Sequence, residues 1–336
     1  MASRVAVLGA GSWGTTIASI AAARAATVLW ARRPALAEAI TVTGRNPDYL
    51  GGPVVPASVA ATASLRDALR GAGVVFMAVP SHGFRAVMAA ARPHLDPGAV
   101  VVSLAKGLER GSRLRMTEIV AEVAPGQPVA VLTGPNLAGE VMAGRPAASV
   151  AASVEAGPAE LVQHLLTTAS FRVYTNPDVV GCELAGALKN VLAIACGMAD
   201  GLDLGDNTRA ALITRGLAEL TRLGTALGGD AATFAGLAGI GDLVVTCMSA
   251  QSRNRFVGVE LGRGRPLADI VGGMTMVAEG VRTAAVVMEL AQEAGVEMPI
   301  AEQVAAVVER GQPAAACVRS LMAREARPER DPLPAS

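Results

Sequence analysis

Short runs of β-branched and apolar residues recur through the first half of the chain: Arg4–Leu8, Ala26–Ala31, Val74–Val79, Ala99–Leu104, Val129–Leu132, Ala148–Ala152 and Phe171–Tyr174. Stretches with helical character separate most of them. This alternation predicts right-handed strand–helix–strand units and a mostly parallel sheet. After about Pro177 the strand signals nearly vanish. Helices are predicted over Cys182–Ala199, Asn207–Leu227, Ala231–Ala238, Leu243–Met248, Val281–Gly295 and Ile300–Gly311. The expected organisation is an α/β domain over residues 1–180 and an all-α domain over 181–326. Residues 327–336, with three prolines, read as a disordered tail. No internal repeat is visible.

Composition narrows the partners. Across 336 residues, 51% are hydrophobic and 17% charged, which suits a packed globular chain. Lys+Arg and Asp+Glu both number 29, so there is no global positive field to hold nucleic acid or an anionic membrane. An anionic ligand must be held by a local site. The mean hydropathy of +0.42 comes from Ala and Val, and no uninterrupted apolar run reaches about 18 residues, so no integral membrane segment is expected. The N-terminus superficially resembles a secretory signal, but glycines 9, 11 and 14 interrupt its apolar stretch. Four cysteines without a CxxC pair and three histidines without ligand spacing read as a reduced, cytoplasmic setting with no structural metal.

The first strand runs directly into Gly9-Ala10-Gly11-Ser12-Trp13-Gly14, and Thr15–Ala25 reads as the following helix. In this strand–turn–helix context, GxGxxG is a dinucleotide fingerprint, which makes the first domain Rossmann-type. Gly9 permits the tight turn, Gly11 lets a pyrophosphate approach the backbone, and Gly14 permits close helix–strand packing. The helix N-terminus then offers N–H groups to the pyrophosphate. The second strand ends at Trp30-Ala31-Arg32-Arg33, about 20 residues on, where an NAD-specific site places an acid. Two arginines suit a ribose 2′-phosphate instead; they could also be ordinary solvated charges.

The segment Cys182–Ala199 is apolar nearly all round and contains a single cation, Lys189. None of its helical neighbours, Ala185, Gly186, Leu192, Ala193 and Cys196, is an acid. A desolvated lysine without an ionic partner loses its proton more easily and can serve as a general acid or base near neutral pH. Alternatively, its stem packs while the ammonium reaches water.

Several segments resemble the bacterial NAD(P)-dependent glycerol-3-phosphate dehydrogenases. They are Gly11-Ser12-Trp13-Gly14-Thr15, Ala105-Lys106-Gly107-Leu108-Glu109, Thr133-Gly134-Pro135, Glu183 to Val191, Asn207 to Gly216, Gly239 to Leu243, Thr246 to Ser249, Ser252-Arg253-Asn254 and Val277 to Gly280. The resemblance spans residues 4 to about 310. It implies a 6-phosphogluconate-dehydrogenase-like plan, with a Rossmann domain followed by an all-α substrate domain. It also implies reversible hydride transfer between NAD(P)H and dihydroxyacetone phosphate, supplying sn-glycerol 3-phosphate for phospholipid synthesis. On this resemblance Lys189 is the acid/base on the substrate C2 oxygen. Lys106 lies near both nicotinamide and substrate. Arg253 binds the substrate phosphate and approaches the cofactor, with Ser252 and Asn254 adding hydrogen bonds. Asp242 helps hold the substrate and Lys189, although by position alone it could cap the helix at Leu243. Gly134 and Asn136 complete the substrate set. Gly9, Gly11, Ser12, Trp13, Gly14, Arg32, Arg33, Ala138, Val277 and Glu279 line the cofactor.

NADP(H) is expected to be preferred. No bulky residue or competing acid is evident beside the arginines, so NAD(H) is expected to be used as well. The partner is a small phosphorylated substrate, and a homodimer is expected by family analogy. Asn136, where Ser or Thr is common, and Gly139, where a longer polar residue is common, are departures that bear on substrate affinity. A related reductase of a 2-keto or 3-hydroxy acid, using Arg253 for carboxylate, is the alternative enzyme reading. A catalytically inactive nucleotide sensor is another, and it would be expected to lack Lys189 or Arg253.

Overall fold

The computed structural model describes residues 4–274, 276–326 and 328–329. Its strands are β1 (Arg4–Leu8), β2 (Ala26–Trp30), β3 (Arg45–Asn46), β4 (Leu50–Val54), β5 (Val59–Thr62), β6 (Val74–Met77), β7 (Val100–Ser103), β8 (Val129–Thr133), β9 (Ala147–Ala152) and β10 (Phe171–Asn176). All but β3 and β4 form one sheet in the order β10-β9-β8-β7-β6-β1-β2-β5. Only β8 and β9 pair antiparallel within it. Helices cover both faces, which explains why the inner strands are continuously apolar instead of alternating. Val5 and Val7 face one core while Ala6 and Leu8 face the other. From β1 the winding proceeds to β2 and β5 on one side and to β6, β7 and β8 on the other. That reversal opens a crevice beyond the C-terminal end of β1, where the glycine turn stands.

Each strand expected from the sequence is present, with ends moved by one or two residues. The edge strand β5 and the β3–β4 hairpin were not foreseen. β5 reads Val-Ala-Ala-Thr, too poor in large β-formers to stand out, and Gly51-Gly52-Pro53 masks any alternation in β4. The hairpin is bonded to the glycine turn after β1.

The second half is helical. Helix Val179–Gly201 runs through its centre and is buried continuously from Gly181 to Ala199. Its neighbours include Gly205–Ala226, Asp242–Met248, Arg253–Gly262, Glu279–Glu293 and Pro299–Arg310. Helix Arg253–Gly262 crosses it at near-contact distance. A methyl at Gly197 would stand 2.1 Å from the Arg255 carbonyl oxygen, and one at Gly258 would stand 2.2 Å from that of Ile194. Backbones can meet this closely only where side chains are absent.

Three helices escaped the sequence reading: Arg253–Gly262, Leu267–Gly272 and Ala314–Met322. Glycines and arginines dilute the apolar period of the first. The helix expected over Ala231–Ala238 stops at Phe234, and a wider π-type turn at Leu237–Gly241 leads into Asp242. Two segments, Val179–Gly201 and Ala231–Met248, also prove long and apolar enough for a membrane span by length and composition. The first is the buried core of the helical half, and the second is broken by the π turn. The tail expected from Arg327 lies outside the described residues except for Pro328 and Glu329.

Candidate active site

The cofactor end begins with the turn after β1. Gly9 has φ +121°, and a methyl there would lie 2.5 Å from the Ala78 carbonyl oxygen. At Gly14 a methyl would overlap the Gly9 carbonyl at 1.9 Å, whereas at Gly11 it would meet nothing within 4 Å. The protein itself therefore requires the outer two glycines. The middle one borders open space, as an approaching pyrophosphate needs. Helix Ser12–Ala21 starts there with no side-chain cap and no acid in its first turn, leaving its N–H groups available to an anion. These features fit a dinucleotide.

Neighbouring side chains brace this turn. Asn46 of β3 donates to the Ala10 carbonyl at 2.9 Å and to Thr15 Oγ1 at 2.8 Å, and Ser12 Oγ donates to the Tyr49 carbonyl at 2.8 Å. Trp13 packs edge-on against Phe171, ring centres 6.1 Å apart, and so belongs largely to the sheet core. The first residue of helix Ala138–Met142, Ala138, offers its carbonyl to Thr16 Oγ1 at 3.4 Å. Beyond β2, Arg32 is exposed and makes no polar contact among the described residues. Arg33 instead pairs with Asp48 and lies 5.9 Å over the Tyr49 ring. The expectation that no acid stands beside these arginines is corrected: Asp48 arrives from the unforeseen hairpin.

The chemical centre lies where the two halves meet. Lys189 Nζ donates to Asp242 Oδ1 and to Thr246 Oγ1, both at 2.6 Å. Lys106, just past the end of β7, donates to Asp242 Oδ2 at 2.8 Å and to the Gly134 carbonyl at 2.7 Å. One buried carboxylate thus bridges two ammonium groups. Lys189 is only 4% exposed and Asp242 1%, while the Lys106 side chain remains 18% exposed. Burial lowers the Lys189 pKa to about 8, and Lys106 pushes in the same direction while Asp242 opposes both. The sequence reading of Lys189 as lacking an acidic partner holds for its own helix but not for the fold, which supplies Asp242 from another helix. Asp242 is not a helix cap; its carboxylate is spent on the lysines, and the π turn before it sets its position.

A hydrogen-bond relay fixes the surrounding elements. Asn190 donates to the Lys106 carbonyl at 2.8 Å and accepts from Asn254 at 2.8 Å, and Asn254 accepts from the Gly280 N–H at 2.9 Å. Glu279, one residue before Gly280, accepts from Ser81 N at 3.0 Å and Ser81 Oγ at 2.6 Å. A methyl at Gly107 would stand 2.7 Å from that same Ser81 hydroxyl, so the Lys106 loop is pressed against this contact. Val277 lies two residues earlier, on the approach to helix Glu279–Glu293.

Arg253 opens helix Arg253–Gly262 and has no hydrogen bond or ion pair among the described residues. It is exposed to solvent yet enclosed by enough protein that desolvation lowers its pKa, with Glu279 opposing. An unpaired guanidinium in such a place suits a ligand anion. Its neighbours are otherwise engaged: Ser252 Oγ accepts from Arg255 N at 3.2 Å as the helix cap, and Asn254 belongs to the relay. Each keeps one donor hydrogen beyond these bonds, the Ser252 hydroxyl and the second Asn254 amide N–H, for the substrate role expected of it. Gly134 has φ +122°, Asn136 accepts from Ser149 Oγ, and its buried Nδ2 has no partner among the described residues. A methyl at Gly139 would meet only Gln251 Oε1, at 3.6 Å, so the small residue leaves room.

Sequence reasoning missed several contributors. Thr246 stands one helical turn after Asp242, a spacing that was legible, and Asn190 directly follows Lys189. Ser81 and Asp48 carry no local signal, and Glu183, which opens one of the family-like segments, was given no role of its own. Glu183 accepts from Thr117 N at 3.0 Å, Thr117 Oγ1 at 2.5 Å and Arg115 at 2.9 Å, which fastens the central helix to helix Met116–Val123 of the sheet domain.

Two family models match: the NAD-dependent glycerol-3-phosphate dehydrogenase N-terminus over residues 4–158 and the corresponding C-terminus over 178–319. A glycerol-3-phosphate dehydrogenase [NAD(P)+] of Sphingopyxis alaskensis is 54% identical over 301 residues, 90% of each chain. That of Streptomyces griseus is 51% identical over 97% of this chain and 98% of its own. The crystal structure of glycerol-3-phosphate dehydrogenase from Coxiella burnetii superposes with a TM-score of 0.92 at 39% identity, covering 96% of this chain and 99% of that one. A ketopantoate reductase from Ralstonia eutropha, 20% identical with a TM-score of 0.58 over 94% of this chain and 99% of its own, shares the fold alone. The chain belongs to the NAD(P)-dependent glycerol-3-phosphate dehydrogenase family of oxidoreductases.

Proposed function

We propose that this protein interconverts dihydroxyacetone phosphate and sn-glycerol 3-phosphate, with NADP(H) preferred and NAD(H) also used. The observation that carries the reading is the Lys189–Asp242–Lys106 cluster, buried at the junction between the dinucleotide crevice and the helical half. Bound nicotinamide supplies or accepts the hydride at substrate C2. The residues supply the rest. Lys189, with a pKa of about 8, protonates the C2 oxygen in reduction and takes that proton in oxidation. Asp242 orients its ammonium, and Thr246 fixes the remaining geometry. Lys106 places a second positive charge beside the site, where it stabilises the oxyanion that develops as hydride arrives. Arg253, without an ionic partner among the described residues, holds the substrate phosphate by a charge-assisted fork. Residues 1–180 bind the cofactor and residues 181–326 the substrate.

We place the enzyme in the cytoplasm as a homodimer that feeds phospholipid synthesis, in line with the family. The test is oxidation of NADPH with dihydroxyacetone phosphate, beside NADH and a panel of 2-keto and 3-hydroxy acids. Preferential turnover of a non-phosphorylated acid would overturn the substrate assignment, and sedimentation as a monomer would overturn the dimer.

A further inference from the structure

The end of β2 carries two arginines and no acid, yet the fold delivers a carboxylate there from a different element. Asp48 lies in the turn between β3 and β4, and its only polar partner among the described residues is Arg33. The turn is not free to carry it away. Asn46, two residues before, is buried and anchored to Ala10 and Thr15, and accepts from Tyr49 N at 3.2 Å. Tyr49, one residue after, is tied through its carbonyl to Ser12 and lies under the Arg33 guanidinium. Both flanking anchors are on the glycine turn and the first turn of its helix. Asp48 therefore has a fixed position relative to the pyrophosphate cradle, on the side where the adenosine ribose of a Rossmann ligand lies.

We propose that Asp48 sets the balance between the two cofactors. It competes with a ribose 2′-phosphate for Arg33, and its second carboxylate oxygen, Oδ1, accepts a hydrogen bond from a ribose 2′-hydroxyl. The proposal rests on the reading that Arg32 and Arg33 face that ribose. The Arg33 and Asp48 side chains are 54% and 40% exposed, so their pair is weak and exchangeable. A 2′-phosphate can displace Asp48 from Arg33, but it then sits beside a carboxylate that the anchored turn cannot withdraw. Arg32, with no polar contact among the described residues, needs no such exchange. The penalty falls on the phosphorylated cofactor alone, while the hydroxyl of the other gains an acceptor. A site that looks built only for 2′-phosphate thereby keeps a place for the unphosphorylated ribose.

Binding without turnover reads this directly. Dissociation constants for NADPH and NADH by cofactor fluorescence, and for 2′,5′-ADP and ADP by calorimetry, are compared in wild type, Asp48→Asn, Asp48→Ser, Arg33→Ser and Arg32→Asp. Asp48→Asn should tighten NADPH and 2′,5′-ADP by about three- to fivefold, the size of removing one partly screened charge, and should not tighten NADH or ADP. The gain should shrink as salt is raised. Asp48→Ser, which removes the carboxylate without an amide to replace it, should shift the ratio the same way. If NADPH binds no more tightly in either Asp48 variant, or if both cofactors change in equal proportion, Asp48 has no part in the choice. If Arg33→Ser and Arg32→Asp leave the NADPH-to-NADH ratio untouched, the arginine reading itself fails. A ratio that responds to the arginines but not to Asp48 overturns only the present proposal.

Discussion

Lys189 is costly to bury: an ammonium at 4% exposure survives because one oxygen of Asp242 and the Thr246 hydroxyl replace its water shell. Desolvation and the Lys106 charge still bring its pKa down to about 8, within reach of physiological proton exchange. The sign of the pH dependence follows. On the proposed role of Lys189, reduction needs the protonated lysine, so its kcat/KM should be level below pH 8 and fall as pH rises through about 8. Oxidation needs the neutral amine and should rise through the same range. Lys189→Met should lower kcat by at least about 10²-fold, the low end for losing a general acid, while cofactor binding persists. A Met variant with near-normal kcat, or one that keeps the wild-type pH profile, removes Lys189 from the proton transfer. Arg253→Ala should raise KM for dihydroxyacetone phosphate far more than it affects dihydroxyacetone, which lacks the phosphate. Equal losses on the two substrates would mean that Arg253 supports the fold or the cofactor.

At the scale of elements, the site depends on how closely two helices can approach. Helix Arg253–Gly262 reaches helix Val179–Gly201 through glycines on both sides: Gly197 and Gly201 on one, Gly258 and Gly262 on the other. That contact brings Asn254, which follows Arg253, to Asn190, which follows Lys189. A side chain at Gly258 must push against the Ile194 carbonyl and the Gly197 backbone, neither of which can rotate away. Gly258→Val should cost about 1–3 kcal/mol of stability, the range for overpacking, and should also raise KM for the phosphorylated substrate as Arg253 is displaced. Urea unfolding and steady-state kinetics on one preparation check both. Unchanged stability would show that the helices can separate without strain.

For the molecule as a whole, several bonds join the halves, some of them at the lysine cluster and others away from it, such as the Arg113–Glu293 pair. Lys106 reaches Asp242, Asn190 reaches the Lys106 carbonyl, Ser81 reaches Glu279, and Arg115 and Thr117 reach Glu183. The Glu183 contact lies away from the lysines and so tests docking by itself. Its carboxyl is buried, and burial raises its pKa against the pull of Arg115 and Thr117. Glu183→Ala would leave Arg115 and the Thr117 N–H short of a partner at a cost of about 3 kcal/mol, typical of breaking a buried pair from one side. Chemical unfolding should show that loss, and kcat/KM should fall while the NADPH dissociation constant stays near wild type. A variant as stable and active as the parent would show that the halves are docked without this clasp.

How much of this was legible follows from the range of each signal. The glycine fingerprint, the inner strands and the central helix were readable because each is encoded within one contiguous stretch: a turn that only glycine permits, or a run buried all round. The resemblance of Lys189, Asp242 and Arg253 to a known family named the residues but could not show who holds whom. β5 and the β3–β4 hairpin were hidden because their pairing partners, rather than their own composition, make them strands. Helix Arg253–Gly262 was hidden because the glycines that let it pack dilute its apolar pattern. The sequence alone determined the two-part plan, the dinucleotide turn and the presence of an isolated lysine in an apolar helix, since local periodicity and backbone sterics decide these. Only the tertiary structure decided that Asp242 bridges Lys189 and Lys106, that Asp48 meets Arg33 and that Arg253 has no ionic partner among the described residues. Ion pairs and hydrogen bonds act over a few ångströms of space, and residues 53 and 136 positions apart reach that distance only when the chain has folded.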